Sequence, residues 1–390
     1  MTPAARYAAA IGVLNGFLAG EPVEKLLSNW ARKNRYAGSK DRAAVRDIVF
    51  DCLRNQGRFA KSAGFDGGRA LALGHCVAAD TDPNSVFSGE GYAPDPLSDA
   101  EIAVFGQAVG GQASDNFPDW IADILKADLG ADFERSCAAM SERAPVDLRV
   151  NISKTTIENA IAMLAADSIA VDAIDGVPTA LRVRENPRRV AGSKAFAGGY
   201  IELQDAASQA ILNRLDLPAE GPILDYCAGG GGKTLAMAAA APNASIDAWD
   251  ISAARMEPLK ERAKRAGARV RVLAAEPRSA QYELVLVDAP CSGAGSWRRN
   301  PEGKWRLAPD RLEELQGIQA AVLNKAAKCV KANGTLVYAT CSVFARENRE
   351  QVDAFLAQNA AFSLVGDQSY RVKEPGDGFY VAILKNNSGV

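Results

Sequence analysis

A chain of 390 residues, 48% hydrophobic and 24% charged, is long enough for two or three domains with full cores and has the composition of an ordinary soluble protein. Its seven cysteines include no CxxC pair, which argues against a zinc site or a disulfide framework, and its single histidine, His75, argues against a histidine base. The start lacks a basic-then-apolar signal pattern and no apolar run approaches the ~20 residues a bilayer demands, so a cytoplasmic chain without membrane contact or metal is expected.

Net charge is only −2, but it is unevenly spread. Residues 1–61 carry eleven basic against five acidic side chains, whereas Asp80 to Glu134 is strongly acidic. A polyanion-binding face and a plain solvated helix face account for this asymmetry equally well.

Taken in chain order, residues 3–60 read as helices broken at Gly20-Glu21-Pro22 and Tyr36-Ala37-Gly38-Ser39, with Leu14, Phe17 and Leu18 and then Val45, Ile48, Val49 and Leu53 at helical spacing. Residues 80–99 are loop-like, and helical pattern resumes over Asp99–Val109 and Pro118–Met140. A strand at 147–151, a helix around Ile157–Ala166 and a strand at 180–183 suggest a small α+β module. From Gly221 onward strands and helices alternate, as in a doubly wound parallel sheet. The expected division is a helical part over 1–140, the α+β module over 145–205 and an α/β part over 206–390.

Chemistry concentrates at three strand ends in that last part. Ile223-Leu224-Asp225-Tyr226-Cys227 runs into Ala228-Gly229-Gly230-Gly231-Gly232-Lys233-Thr234. Tyr282–Val287 runs into Asp288-Ala289-Pro290-Cys291-Ser292-Gly293, and Gly334–Tyr338 into Ala339-Thr340-Cys341-Ser342. Open α/β sheets bind ligands outside the carboxyl ends of their strands, so one crevice would hold a glycine turn and two thiols. The glycine turn lets backbone amides approach a ligand ahead of a helix N-terminus. It is not a Walker loop, because Cys227 stands where that motif requires its first glycine. Asp250 ends the next strand ~20 residues on, the place of a carboxylate that accepts ribose hydroxyls. Capping the helix Ser252–Ala266 is the other reading of Asp250. Glu276, after Val270–Leu273, is a candidate for adenine contact or a surface residue.

Asp225–Thr234, Asp288–Gly295 and Tyr338–Asn348, the last containing Thr340-Cys341-Ser342 and Glu347-Asn348, together resemble the RsmB/Nop/Sun family of RNA cytosine-5 methyltransferases in order and spacing. Gln204–Ser208, Arg298–Glu302 and Asp377–Ala382 are similar to further family segments, so the likeness covers about 145–386. One departure is Gly229-Gly230 where the family usually has Ala-Pro. The resemblance implies a Rossmann-like class I methyltransferase sheet over 206–390, S-adenosylmethionine as cofactor, and an N-terminal bundle like NusB. The cofactor would be held by Cys227, Ala228, Gly229, Gly230, Gly231, Gly232, Lys233, Asp250, Glu276 and Asp288.

Carbon 5 of cytosine is a poor nucleophile until a thiolate adds to carbon 6, so such an enzyme needs a cysteine with a lowered pKa. Spacing does not decide which thiol attacks. The Pro-Cys turn of DNA cytosine methyltransferases would favour Cys291, whereas the RNA family implies Cys341 as nucleophile and Cys291 in product release. Asp288 would bond the Watson–Crick edge of the base, and Lys233 would orient a carboxylate or approach the base. RNA is the implied partner of a monomer, small-subunit ribosomal RNA before transfer RNA, with the target unstacked. Arg182, Arg184, Arg188, Arg189 and Lys194 would contact it, as would Arg298, Arg299, Lys304 and Arg306 interleaved with Trp297 and Trp305. A non-catalytic RNA-binding assembly factor would have lost site residues that are all present. A DNA methyltransferase would need a recognition insertion for which there is no room, and a thiol hydrolase a histidine in the catalytic half, which has none.

Overall fold

The computed structural model describes residues 1–105 and 110–388 in two compact units. The first comprises Met1–Arg143 together with Trp297–Arg306, and the second Ala144–Ser296 with Leu307–Val390. No helix among the described residues is long and apolar enough to cross a membrane.

Unit one is helical. Its first helix, Pro3–Leu18, starts on Thr2, whose hydroxyl accepts the Ala5 amide, with proline at the position where a missing N–H costs nothing. It stops before Gly20, which takes φ 99°, and Pro22 precedes the next helix, Val23–Lys33. The third, Ser39–Arg54, supplies Val45, Val49 and Leu53 to a core that also takes Leu14, Phe17, Leu27 and Leu71. The expected helix Asp99–Val109 is found as Asp99–Phe105, and its remaining positions lie outside the described residues. Asp119–Leu129 and Phe133–Ser141 complete the unit, apart from the inserted segment.

That segment corrects one expectation. Residues 297–306 were read as a basic, aromatic RNA-contacting stretch, yet Trp297, Arg298 and Lys304 are at most 2% exposed. The helix Ser39–Arg54 ends with carbonyls that lack intrahelical partners, and the segment supplies donors to them. Lys304 Nζ donates to the Arg54 carbonyl and Trp305 Nε1 to the Leu53 carbonyl, each at 2.8 Å. In return Arg54 Nε donates to the Arg298 carbonyl at 2.8 Å. The Lys304 ammonium also sits 4.5 Å from the centre of the Phe117 ring. Of the expected contacts in this stretch, Arg299 and Arg306 remain exposed.

Unit two holds two sheets. The smaller is antiparallel in the order β2-β3-β1-β4, formed by β1 (Asp147–Val150), β2 (Val171–Ala173), β3 (Ala180–Val183) and β4 (Ile201–Leu203). The helix Ile157–Ala166, capped by Thr156, contributes Ala160 and Leu164 to the core of that sheet. The larger sheet runs β10-β11-β9-β8-β5-β6-β7. Its strands are β5 (Pro222–Asp225), β6 (Ser245–Ala248), β7 (Val270–Val272), β8 (Tyr282–Asp288), β9 (Val330–Thr340), β10 (Phe362–Tyr370) and β11 (Phe379–Asn386). The five from β5 to β9 are mutually parallel, while β10 and β11 pair antiparallel. Val285, Leu286 and Val287 of β8 are wholly buried, as a strand covered on both faces requires. From β5 the chain steps outward to β6 and β7, then returns to lay β8 on the other side of β5. The strand order therefore reverses between β5 and β8, where such sheets bind ligands. This is the Rossmann-like α/β architecture expected of the C-terminal half.

Burial without a counter-ion lowers the Lys304 pKa to about 7. In the unfolded chain the same group titrates at ~10.4. Below pH 7 both states carry the proton and the full cost of burying it is present. Between 7 and about 10 only the unfolded state keeps the proton, so stability rises with pH. Lys304→Met is expected to raise the urea midpoint at pH 7 and to remove the rise that the wild type shows from pH 7 to 9.

Candidate active site

Adjacent parallel strands put the chemistry in one place. In the β8–β9 pairing Asp288 lies opposite Ala339, so both strands end at the same level. The turns that leave them are stitched together: the Ala289 amide donates to the Ala339 carbonyl at 2.8 Å, and the Gly295 amide to the Cys341 carbonyl at 2.9 Å. Cys291 Sγ and Cys341 Sγ are consequently 3.4 Å apart, both half-buried. Lys233, in the first turn of the helix Gly232–Ala240, is 7% exposed and donates to Asp288 Oδ2 at 2.7 Å. Of the two roles expected for Lys233, orienting a carboxylate is the one observed. The carboxylate that Lys233 meets is Asp288.

Two thiols at this distance shift each other in opposite directions. The hydrogen bond from the Cys291 thiol holds Cys341 below the ordinary thiol range, aided by the Lys233 charge and opposed by burial and by Asp288. Cys291 moves the other way, because it donates that bond, is buried and faces the charge on Cys341. The arrangement favours a thiolate at Cys341 and a protonated Cys291. For Lys233 itself burial acts downward, but Asp288 outweighs it and the ammonium is held more firmly protonated than usual.

The glycine turn follows β5. Gly229 and Gly231 take φ 50° and 82°, and a Cβ on Gly231 would lie 2.2 Å from Leu259 Cδ1, so the turn tolerates no side chain there. Its carbonyls are anchored from outside: Arg149 donates to the Gly232 oxygen at 2.6 Å and Arg262 to that of Gly230. Ser252 rather than Asp250 is the N-cap residue of the helix that follows, and Asp250, 4% exposed, ties its strand end to the glycine turn. One oxygen accepts the Gly229 amide at 3.0 Å and meets Arg255 at 3.1 Å; the other accepts the Ser252 amide at 2.9 Å, ahead of the helix Ala253–Ala266. Glu276 accepts the Tyr226 hydroxyl at 2.7 Å and Lys325 at 3.1 Å, and those bonds hold its pKa below the usual value. Cys227 and Ala228 begin the turn, with burial keeping Cys227 a thiol.

Four side chains near the site were given no role from the sequence. Asp225, at the end of β5, accepts the Thr234 hydroxyl at 2.6 Å with one oxygen, while its other oxygen is buried without a hydrogen-bond partner. Burial pushes its pKa up to about 7. Glu347 is fully buried between the two cysteine turns, and its presence in the Tyr338–Asn348 motif was the available signal. Arg149 and Arg262 lie on β1 and on the helix Ala253–Ala266, far from the turn in sequence, and no local pattern marks them. A cofactor bearing a nucleoside and an ammonium group fits these residues. The turn presents amides, Asp250 is a buried acceptor at the strand end, and Asp225 has an oxygen to satisfy. Among the described residues no cluster of histidine, cysteine, aspartate and glutamate suits a metal ion.

A Rossmann-like sheet with reactive side chains at its strand-order reversal is an architecture that class I methyltransferases share with other nucleotide-binding enzymes. The model of the 16S rRNA methyltransferase RsmB/F family matches residues 212–385, and that of the RsmF/B-like ferredoxin-like domain matches 117–190. The chain is 33% identical over 282 residues to the ribosomal RNA small subunit methyltransferase B of Enterobacter sp. (strain 638), covering 68% of this chain and 66% of the relative. To that of Serratia proteamaculans (strain 568) it is 34% identical over 283 residues, with the same coverage. The match therefore spans slightly under two thirds of those relatives. Among solved structures, PH0851 superposes with TM-score 0.77 at 24% identity, covering 98% of this chain and 99% of that one. NSun6 from Pyrococcus horikoshii with SFG gives 0.62 at 19%, covering 70% and 98%. The chain belongs to the RsmB/F methyltransferase family.

Opposite charges beside Cys341 give opposite expectations. Lys233→Met is expected to raise the pH midpoint of Cys341 alkylation by iodoacetamide by about one unit, and Asp288→Asn to lower it. Peptide mass spectrometry at a series of pH values reads each cysteine separately.

Proposed function

We propose that this chain transfers a methyl group to carbon 5 of a cytosine in RNA, small-subunit ribosomal RNA before any other, through a covalent bond between Cys341 and the base. The observation that carries the reading is the thiol pair at 3.4 Å, with Lys233 and Asp288 beside it, at the ends of neighbouring parallel strands. S-adenosylmethionine, when bound, supplies an electrophilic methyl group. The residues that would hold it are the Cys227–Lys233 turn, Asp250 at the ribose, Asp225 at the ammonium group and Glu276 towards the base.

The Cys341 thiolate adds to carbon 6 of an unstacked cytosine, and a carbon–sulfur bond forms as the ring's electrons move to carbon 5. Asp288, fixed by Lys233, bonds the Watson–Crick edge and favours protonation of the ring nitrogen. Once carbon 5 carries the methyl group, its proton passes to a solvent water, the electrons of that C–H bond restore the ring double bond, and the carbon–sulfur bond breaks to return the thiolate. Cys291 stands one hydrogen bond away, held protonated, and assists that release. On the substrate side, Arg188, Arg189 and Lys194 are exposed and suited to phosphate contacts. Arg182 is committed to Asp147 at 2.8 Å and is excluded from that role.

Purified enzyme with labelled S-adenosylmethionine and separated unmodified RNAs is expected to give 5-methylcytosine in the small-subunit ribosomal RNA. Label in transfer RNA instead would reassign the substrate. A protein that binds cofactor and RNA yet transfers nothing would point to an assembly factor. Cys341→Ala is expected to lower turnover by about 10³-fold or more, while Cys291→Ala accumulates an enzyme–RNA adduct on a denaturing gel. A Cys291→Ala enzyme with normal turnover and no adduct overturns the division of labour between the thiols.

A further inference from the structure

We propose that Glu347 is a positioning residue for the reaction, one carboxylate that locks both cysteine turns and so sets the distance between the two thiols. The inference rests on the two-thiol reading above and assigns the group that makes the pair geometrically possible.

Glu347 is wholly buried and touches neither thiol through a hydrogen bond. Its Oε2 accepts the hydroxyls of Ser292 and Ser342, the residues that directly follow Cys291 and Cys341. Its Oε1 accepts the Ser292 amide at 2.8 Å and the Gln319 side-chain amide at 3.0 Å. Gln319 Nε2 also donates to the carbonyl of Pro290, directly before Cys291, at 3.0 Å. Four donors thus fill the acceptor sites of one carboxylate.

The two turns are built alike. Ser292 accepts the Ala294 amide at 3.2 Å on its hydroxyl oxygen, and Ser342 accepts the Phe344 amide at 3.1 Å. Each serine closes its own turn as an acceptor and donates its hydroxyl proton to Glu347, and the two hydroxyl oxygens lie 3.5 Å from each other. Asn348 extends the bracing, taking the Thr340 hydroxyl and donating to the Ser342 carbonyl at 3.0 Å. A buried carboxylate is costly unless its lone pairs are filled, and here every partner belongs to, or is tied to, a cysteine turn.

Charge cannot be the reason for Glu347, because a negative group there opposes a thiolate on Cys341. The groups that face that thiol are Cys291, Asp288, Lys233 and Glu347, and only Lys233 brings positive charge. A neutral amide at position 347 would therefore ease ionisation of Cys341 while turning one of the two acceptor oxygens into a donor, so that either the two hydroxyls or the Ser292 and Gln319 amides lose their acceptor. Electrostatic and positioning roles thus move the experiment in opposite directions.

The test compares wild type with Glu347→Gln in three measurements: turnover with its pH profile, thermal unfolding, and the rate at which diamide couples Cys291 to Cys341. In that coupling the two thiols lose two protons and two electrons to form the disulfide, and diamide becomes its hydrazine, so it reads the thiol geometry without RNA or cofactor. The expected result is a folded Glu347→Gln protein with kcat lowered about 10²-fold, the loss that a displacement of about 1 Å produces. The KM for S-adenosylmethionine stays within about threefold, the acid limb of the pH profile moves to lower pH, and disulfide coupling slows about tenfold. Ser292→Ala and Ser342→Ala each remove one of the four bonds and carry the test if Glu347→Gln does not fold; slowed coupling in both is then required. A folded Glu347→Gln protein that couples its thiols at the wild-type rate overturns the proposal, whatever its turnover. A wild type that transfers no methyl group, with coupling still slowed by Glu347→Gln, overturns the methyltransfer reading and leaves the positioning role standing.

Discussion

Everything chemical in this protein depends on two parallel strands stopping at the same level. The register that sets Asp288 against Ala339 makes β8 and β9 end together, and their cysteines, fifty positions apart in the chain, become neighbours at 3.4 Å. Side chains in a strand alternate with a period of two, so a slip of one residue would turn one thiol away from the other. The register is in turn secured by wholly buried residues on both strands, Val285, Leu286 and Val287 against Leu336, Val337 and Tyr338. Packing in the sheet thus carries a catalytic distance.

The glycine turn shows the same economy in a different way. Its Gly230 and Gly232 carbonyls are held by Arg262 and Arg149, while its Gly229 and Gly231 amides are bonded to Asp250 and to the Ala228 carbonyl. Arg149 comes from β1 of the small sheet, and Glu202 of β4 braces Arg262 at 3.0 Å. Burial lowers Arg149 to a pKa of about 10, a cost accepted at a residue that remains charged at neutral pH. The small sheet is therefore part of the frame of the cofactor turn. Gly229-Gly230 leaves that turn more backbone freedom than a proline would, and the two guanidinium anchors restrict it from outside.

Legibility in the sequence followed burial. Of the strands that carry the site, β5 and β8 are apolar runs that end on Asp225 and Asp288, and β9 ends in one that leads through Thr340 into Cys341. The three short or edge strands β2, β4 and β10 went unread, because an edge strand need not be apolar: Phe362–Tyr370 includes Ser363, Gly366, Asp367, Gln368 and Ser369. The stretch 297–306 misled for a physical reason. Arginine, lysine and tryptophan have long apolar bodies with donors at the tip, so the same composition suits a nucleic-acid surface or a buried plug whose donors end on carbonyls. The acceptors that decide between them, on Leu53 and Arg54, are backbone atoms some 250 residues away and have no sequence signature. Glu347 was visible as a motif letter but not as a clamp, since its partners lie on three separate elements.

The charges of the site form a balance that a bound cofactor would complete. Lys233 answers Asp288, and the thiolate expected at Cys341 adds a second negative charge near the same ammonium. Glu347 adds a third, tolerated because four hydrogen bonds saturate it. Asp225 is the group left undecided: burial holds its pKa near 7, and one oxygen has no partner. An ammonium group beside it would favour the carboxylate form. A cation beside Asp225 would leave the Lys233 charge to Asp288 and the Cys341 thiol.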